Sequence, residues 1–292
     1  MLQKNFVIHH NDVLDELRRT PDESFKLVIS SPPYNIGKEY EKRMSLDNYL
    51  CWQKDIVREL CRVTARNGSI AWQIGNYVRN AEIFPLDFLF YPLFKENGMI
   101  LRNRIIWHYN HGLHARKRFS GRYEVLLWFT KSDEYTFNLD PVRIPQSYPA
   151  KRAYKGPNKG ELSCNPLGKN PSDFWAFLAD EWNDGIWDFP NVKNNHKEKT
   201  IHPCQFPVEL VERCILALTD PGDGILDPFG GTGTSIIAAL KHQRKAVMIE
   251  AEQAYVNIAE NRIAQFFNGN LATRPIGISL LSPEAYTEVH GR

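Results

Sequence analysis

Residues 224–234 read Gly-Ile-Leu-Asp-Pro-Phe-Gly-Gly-Thr-Gly-Thr, a short apolar strand that runs directly into a glycine-rich turn. A helical pattern from Ser235 to about Lys241 and an apolar strand over residues 245–249 follow. Glycines after a buried strand let the backbone approach a ligand that a Cβ would exclude, and they open a helix whose first N–H groups are free. The stretch predicts a βαβ unit with a ligand at residues 227–234, hereafter the glycine turn.

Strand and helix patterns alternate on both sides of this unit. Strands are predicted over residues 6–8, 25–30, 69–74, 100–108 and 124–130, and helices over residues 13–18, 47–65, 85–96, 207–219 and 252–265. Such alternation predicts an α/β fold with a mainly parallel, doubly wound sheet. Between residues 140 and 195 the periodicity disappears, and prolines, aromatics and basic residues replace it, so an inserted region is expected there.

Charge is distributed unevenly along the 292 residues. The net charge is only +2, yet residues 97–172 hold thirteen basic against five acidic residues, which is +8 and leaves −6 for the remainder. A basic run is often a solvated face, but it is also typical of a surface that contacts nucleic-acid phosphates. The candidate contacts are Arg116, Lys117, Arg118, Arg122, Arg143, Lys151, Arg152 and Lys155.

Several classes of protein are disfavoured by the composition. The five cysteines form an odd set without a Cys-x-x-Cys pair, which argues against a disulfide framework and a structural zinc site. His108, His111 and His114 lie three apart, but no carboxylate is near them, and no metal site is expected. The sequence shows neither a signal peptide nor a stretch that approaches a membrane span, so a cytoplasmic protein without a membrane partner is expected.

Two acids flank the glycine turn. Asp227 leads the turn and suits a ligand ammonium better than a pyrophosphate, and Glu250 ends the next strand, where acids accept hydrogen bonds from ribose hydroxyls. An acid for an amine together with an acid for a ribose describes S-adenosylmethionine. Taken alone, Glu250 is also explained as an acid at a helix N-terminus.

Residues 31–34 read Ser-Pro-Pro-Tyr and follow the strand over residues 25–30. Neither proline can donate to a sheet ladder, so the chain leaves the sheet here. The tetrapeptide then lies at the carboxyl end of a strand, where ligands bind in open α/β sheets. Alone it would be an ordinary loop. Together with the glycine turn it predicts a rigid polar and aromatic clamp for a planar base that carries an amino group, hereafter the clamp.

The clamp and the glycine turn together resemble the DNA amino-methyltransferases, which methylate exocyclic nitrogens of DNA bases. The order, with the catalytic motif before the cofactor motif, is that of their β class. Asn11-Asp12, residues 202–207 and residues 250–255 are similar to further motifs of that class. Cys204 and Phe206 depart from the usual Thr and Lys of the segment over residues 202–207.

The resemblance implies a Rossmann-like methyltransferase fold with circularly permuted motif order. It implies catalysis by Ser31, Pro32, Pro33 and Tyr34, and cofactor binding by Asp12, Thr200, Asp227, Phe229, Gly230, Gly231, Thr232, Gly233 and Glu250. Residues 1–139 then form the catalytic half, residues 140–195 the target-recognition insertion and residues 196–266 the cofactor half of one domain. Residues 267–292 form a tail without an assigned role.

The implied enzyme flips a base out of duplex DNA and methylates its exocyclic amine from S-adenosylmethionine. Serine at the first clamp position favours cytosine N4, because many adenine-N6 enzymes carry Asp there. An adenine-N6 enzyme and a catalytically inactive DNA-binding regulator stay open as alternatives; a small-molecule or RNA methyltransferase would explain the basic segment less directly. Double-stranded DNA is the expected partner. A homodimer, and a cognate restriction endonuclease that forms no stable complex, also stay open.

Overall fold

The computed structural model describes residues 5–35, 44–109, 115–146, 148–175, 200, 207–271 and 273. The first half contains β1 (Phe6–His10), α1 (Val13–Arg19), β2 (Phe25–Ser30), α2 (Leu46–Val63), β3 (Thr64–Ile74), β4 (Asn76–Arg79), β5 (Glu82–Pro85), α3 (Leu86–Glu96), β6 (Ile100–His108) and β7 (Tyr123–Thr130). The second half contains β8 (Phe174–Trp175), α4 (Val208–Leu218), β9 (Gly224–Asp227), α5 (Thr234–Lys241), β10 (Lys245–Glu250) and α6 (Gln253–Phe267).

Eight strands form one sheet in the order β1-β10-β9-β2-β3-β7-β6-β8. The first five strands in this order, β1, β10, β9, β2 and β3, are parallel to one another. Strand β7 runs antiparallel to both of its neighbours, β3 and β6. Helices α1, α2 and α3 pack on one face, and α4, α5 and α6 pack on the other. The predicted doubly wound, mainly parallel α/β fold is therefore confirmed.

The centre of the sheet brings together segments that are far apart in the sequence. Strands β2 and β9 are hydrogen-bonded parallel neighbours, with Leu27 opposite Ile225 and Val28 opposite Leu226. The carboxyl ends of parallel neighbours meet at the same edge of a sheet. The clamp, which follows β2, and the glycine turn, which ends β9, consequently leave the sheet side by side.

Two local features differ from the sequence expectation. Strand β3 begins at Thr64, immediately after α2, rather than at residue 69, and its pairing with β2 is irregular between Phe25 and Leu27. Gly68 lies in this irregular stretch, where a Cβ would stand 2.9 Å from the carbonyl oxygens of Ala65 and Lys26. The short hairpin formed by β4 and β5 was not predicted.

Part of the segment over residues 140–195 packs against the main sheet. Strand β8 pairs in parallel with the end of β6, and the side chains of Val142, Ile144 and Trp175 are buried. Residues 147 and 176–195 lie outside the described part of the chain. Among the described helices, none is long and apolar enough to cross a membrane.

Candidate active site

A cavity of about 220 Å³ opens where the clamp and the glycine turn meet. It brings together most of the residues predicted to hold a cofactor or a base. Its lining includes Asp12, Ser31, Pro32, Pro33, Tyr34, Phe229, Gly230, Gly231, Thr232 and Glu250. Of the predicted site residues that the structure describes, Asp227, Gly233 and Thr200 are not part of this lining.

Asp227 lies behind the cavity wall rather than on it, with only 2% of its surface exposed. One carboxylate oxygen accepts from the Ser30 hydroxyl at 2.6 Å and from the Phe229 N–H at 3.1 Å, and the other accepts from the Ser235 hydroxyl at 2.6 Å. In this geometry, the Asp227 carboxylate does not face the cavity and does not offer the expected contact with a ligand ammonium. Asp227 instead ties β2, just before the clamp, to the first turn of α5.

Burial raises the pKa of Asp227, and the three hydrogen bonds only partly oppose this shift. The folded state thus binds this proton more tightly than the unfolded chain, so the stabilising contribution is complete below the pKa of the unfolded chain and is lost as pH rises through the folded value. The Asp227→Asn variant has no proton to lose at this position, so its stability should not fall in this way. We therefore expect the unfolding free energy of the wild type minus that of the variant to be smaller at pH 8 than at pH 4. Urea unfolding at both pH values measures it, and a difference that grows with pH would contradict it.

The glycine turn needs its glycines for two separate reasons. A Cβ on Gly230 would stand 2.6 Å from the Cβ of Met248 on β10, so only glycine fits against that strand. Gly231 and Gly233 adopt φ values of 49° and 76°, in the left-handed region that favours glycine. Gly233 is the residue that caps α5. The turn is therefore held tightly over β10 while its backbone faces the cavity.

Two carboxylates lie on the cavity at the ends of β10 and β1. Glu250 accepts from the Gly231 N–H at 2.8 Å and from the Glu252 N–H at 2.9 Å, and burial raises its pKa against these two hydrogen bonds. Asp12 caps α1 by accepting from the N–H groups of residues 14 and 15 at 2.8 Å and 3.3 Å. Glu250 thus both holds the glycine turn and lies at the cavity. A role at the N-terminus of a helix and a role in binding a ribose are therefore compatible for this residue.

The clamp is fixed by hydrogen bonds at each end. The Tyr49 hydroxyl on α2 donates to the Pro33 carbonyl at 2.7 Å, and the hydroxyls of Ser31 and Tyr34 lie 3.0 Å apart. The next residue, Asn35, has a φ of 58° and pairs with the backbone of Met44 through both atoms of its amide. Bonds from Tyr49 and to Met44, both outside the clamp, therefore fix the backbone on either side of Tyr34.

Comparison with known proteins shows the family of the chain. The family model for N6/N4 DNA methylases matches residues 25–261 of the chain. The chain belongs to this DNA methylase family. It is 48% identical over 253 residues to the type II methyltransferase M.BglII of Bacillus subtilis, a match that covers 86% of this chain and 67% of that protein. The DNA adenine methyltransferase YhdJ of Escherichia coli K12 is 32% identical over 262 residues, covering 88% of this chain and 82% of YhdJ.

A solved structure extends the comparison to the fold. TTHA0409 of Thermus thermophilus, in complex with S-adenosyl-L-methionine, superposes with a TM-score of 0.59 at 25% identity. The match covers 90% of this chain and 96% of that structure. The fold of this DNA methylase is thus shared over nearly its whole length.

One cluster beside the clamp was missed by the sequence reasoning. The Tyr34 hydroxyl donates to Oε2 of Glu124 at 3.2 Å, and the Gln73 amide and the Tyr109 hydroxyl donate to the same carboxylate. Glu124 is the half-buried second residue of β7, and Gln73 is near the end of β3. A signal was present in the sequence, because Glu124 is the sole acid between residues 97 and 132.

The basic residues divide into exposed and structural ones. Residues 115–122, hereafter the basic loop, expose Arg116, Lys117 and Arg118 around Phe119, which is 99% exposed. Lys151, Arg152 and Lys155 are also exposed, whereas Arg122 is half-buried. Arg143 is half-buried too and donates to Asp140 and to the Gly168 carbonyl, so it holds its own segment together.

The remaining predicted positions lie partly beyond the described residues. His111, His114 and residues 202–206, including Cys204 and Phe206, are outside them. No group of three His, Cys, Asp or Glu side chains in the described ranges could hold a metal ion. The described cysteines are unbridged thiols, and burial raises the pKa of Cys61 and of Cys214 to about 12. These two thiols are therefore un-ionised at neutral pH.

Proposed function

We propose that this DNA methylase transfers a methyl group from S-adenosylmethionine to the exocyclic N4 of cytosine in duplex DNA after flipping the base. The observation that carries the proposal is that the clamp and the glycine turn line one cavity. A methyl donor and an acceptor amine can meet there without any movement of the sheet. The motif order agrees with the β class of these enzymes.

The cavity residues fit S-adenosylmethionine. The Glu250 carboxylate lies against the glycine turn, where it can accept hydrogen bonds from ribose hydroxyls, and Phe229 and Tyr255 add apolar surface for an adenine ring. Asp12 is a carboxylate on the cavity for the ammonium, a role that Asp227 cannot take from behind the wall. The cofactor supplies an electrophilic methyl group on a sulfonium, and the chain has to orient that methyl toward the clamp.

An exocyclic amine is a weak nucleophile, because its electron pair is delocalised into the ring. The clamp would raise its nucleophilicity by accepting hydrogen bonds from the amine protons. We assign the Ser31 hydroxyl and the Pro32 carbonyl as acceptors for the two amine protons, and the Tyr34 ring as the stacking surface. Acceptors fixed in advance cost little reorganisation. The nitrogen electron pair then forms the N–C bond, the C–S pair leaves with sulfur, and the nitrogen releases one proton to solvent. Positioning rather than acid-base chemistry provides most of the rate.

We propose that the basic loop and residues 140–195 contact DNA, with residues 140–195 recognising the target sequence. Arg116, Lys117 and Arg118 are exposed and would contact phosphates. Phe119, which follows them and is also exposed, would fill the gap that a flipped base leaves in the stack. The enzyme would act in the cytoplasm. A homodimer and a cognate restriction endonuclease stay predictions of the resemblance.

We expect replacement of Arg116, Lys117 and Arg118 by alanine to weaken binding to every DNA sequence alike. Each phosphate contact contributes roughly 0.9 to the slope of log K against log salt concentration. The triple variant should therefore lose about 2.7 from the magnitude of that slope, as measured by fluorescence anisotropy at several salt concentrations. Lys245→Ala is the control, because Lys245 is an exposed lysine at the amino end of β10, whereas the basic loop follows the carboxyl end of β6. An unchanged slope would remove the basic loop from the interface.

Adenine N6 is the alternative acceptor. It is favoured by the similarity to YhdJ, whose name makes that protein an adenine methyltransferase, whereas serine at the first clamp position favours cytosine. Nucleoside mass spectrometry of DNA treated with the protein and labelled S-adenosylmethionine separates the candidates. We expect label in N4-methylcytosine. Label in N6-methyladenine alone would establish the alternative, and DNA binding without any label would establish an inactive regulator.

A further inference from the structure

The Glu124 carboxylate is the end of a hydrogen-bonded chain that reaches the clamp. The Tyr34 hydroxyl lies 3.2 Å from Oε2 of Glu124, and the Ser31 hydroxyl lies 3.0 Å from the Tyr34 hydroxyl. Gln73 donates to Oε2, and Tyr109 lies 3.4 Å from Oε1. Donors from the ends of β3 and β6 and from the clamp thus converge on one carboxylate.

The chemistry of these groups fixes the direction of the chain. An ionised carboxylate can only accept hydrogen bonds, and a tyrosine hydroxyl has a single proton. Because that proton is donated to Glu124, the bond between Ser31 and Tyr34 has to be donated by Ser31. The Ser31 proton then points away from the base, and its oxygen lone pairs are left to accept.

We propose that Glu124 is a positioning residue that orients the Ser31 hydroxyl as a hydrogen-bond acceptor for the exocyclic amine. The inference rests on the proposed function, in which Ser31 receives an amine proton. An unoriented serine could instead donate to the amine and occupy the electron pair that has to attack the methyl group. A carboxylate at the first clamp position would need no such orientation, because it cannot donate.

Packing around the chain supports a fixed arrangement. A Cβ on Gly75, at the end of β3, would stand 3.1 Å from Cε2 of Tyr34 and 3.6 Å from Cγ of Glu124. The Tyr34 ring and the Glu124 side chain therefore both lie against the backbone at this point. The Trp107 ring packs edge-on against Tyr109, with ring centres 5.3 Å apart, and so supports the donor on the other side.

The test is a double-mutant cycle of Glu124→Ala and Tyr34→Phe, measured as single-turnover rates at saturating DNA and S-adenosylmethionine. Each single variant should be about tenfold slower, since each breaks one hydrogen bond of the chain. The double variant should be no slower than Tyr34→Phe alone, because Glu124 acts only through the Tyr34 hydroxyl. Affinity for S-adenosylmethionine should stay within twofold. Multiplied losses in the double variant, or a Glu124→Ala variant of wild-type rate, would overturn the proposal.

Two further variants test whether the charge of Glu124 or the position of its carboxylate matters, and whether the effect is specific to this acid. Glu124→Asp keeps the charge but shortens the side chain, so it should be as slow as Glu124→Ala; a wild-type rate would mean that charge alone matters and would overturn the proposal. It also serves if Glu124→Ala does not fold. Glu134→Ala, at an exposed acid beyond β7, is the matched control and should leave the rate unchanged. The wild-type product, read in the same reactions, separates the outcomes: no methylated amine defeats the proposed function, and an additive cycle with normal product defeats only the role of Glu124.

Discussion

Replacing Tyr34 by alanine should lower kcat roughly 100-fold while the Kd for S-adenosylmethionine stays within about threefold of the wild-type value. The ring is the stacking surface that we propose for the flipped base, and stacking of a base on an aromatic ring contributes about 1–3 kcal/mol. The substitution also removes the hydroxyl that receives the Ser31 proton and donates to Glu124. The cofactor contacts that we propose for Glu250 are at the end of β10 and should be left intact.

The measurement pairs single-turnover kinetics with calorimetric titration of S-adenosylmethionine. Tyr34→Phe is the matched control, because it keeps the ring and should show only the roughly tenfold loss that removal of the hydroxyl causes. Equal losses in kcat and in cofactor affinity for Tyr34→Ala would show that this ring belongs to the cofactor site instead.

Glu250→Ala should show the opposite pattern, with cofactor affinity falling about 100-fold and kcat at saturating cofactor falling less than fivefold. The two hydrogen bonds that we propose between ribose hydroxyls and the Glu250 carboxylate would be lost, each worth about 1.5–3 kcal/mol in a charged pair. The N–H groups of Gly231 and Glu252 also lose their acceptor, which loosens the glycine turn.

Glu250→Gln is the control for the loosening of the glycine turn, since its amide oxygen can still accept a hydrogen bond from one of the two N–H groups. It should therefore bind the cofactor with intermediate affinity. A variant Glu250→Ala that binds S-adenosylmethionine normally but turns over slowly would mean that Glu250 serves the reaction and not the ribose.

The fold was predictable because its elements are encoded locally. Residues 25–30 and 224–227 are short apolar stretches bounded by turn residues, and both form the central strands that pattern alone indicates. The hairpin of β4 and β5 carries no such alternation, and the two residues of β8 are strand only because β6 offers a free edge beside them. Pairing across the sheet, rather than local propensity, creates these elements.

The site was predictable only where a motif is continuous in sequence. The clamp and the glycine turn are such motifs, and they meet as expected. Asp227 was expected on the cavity, but its carboxylate is buried and accepts hydrogen bonds from Ser30 on β2 and Ser235 on α5. Glu124 lies 90 residues after Tyr34 and reaches it only through the order of β3 and β7 in the sheet. Contacts of this kind follow from topology, which sequence spacing does not contain.

We propose that the methyl donor and the acceptor amine share the cavity between the clamp and the glycine turn. A crystal structure of the protein with S-adenosylmethionine bound would show where both ends of the cofactor lie. We expect ribose hydroxyls within hydrogen-bonding distance of Glu250 and the methyl-bearing sulfonium facing Ser31 and Pro32. A ligand bound away from the glycine turn, or a sulfonium turned away from the clamp, would rule out this arrangement.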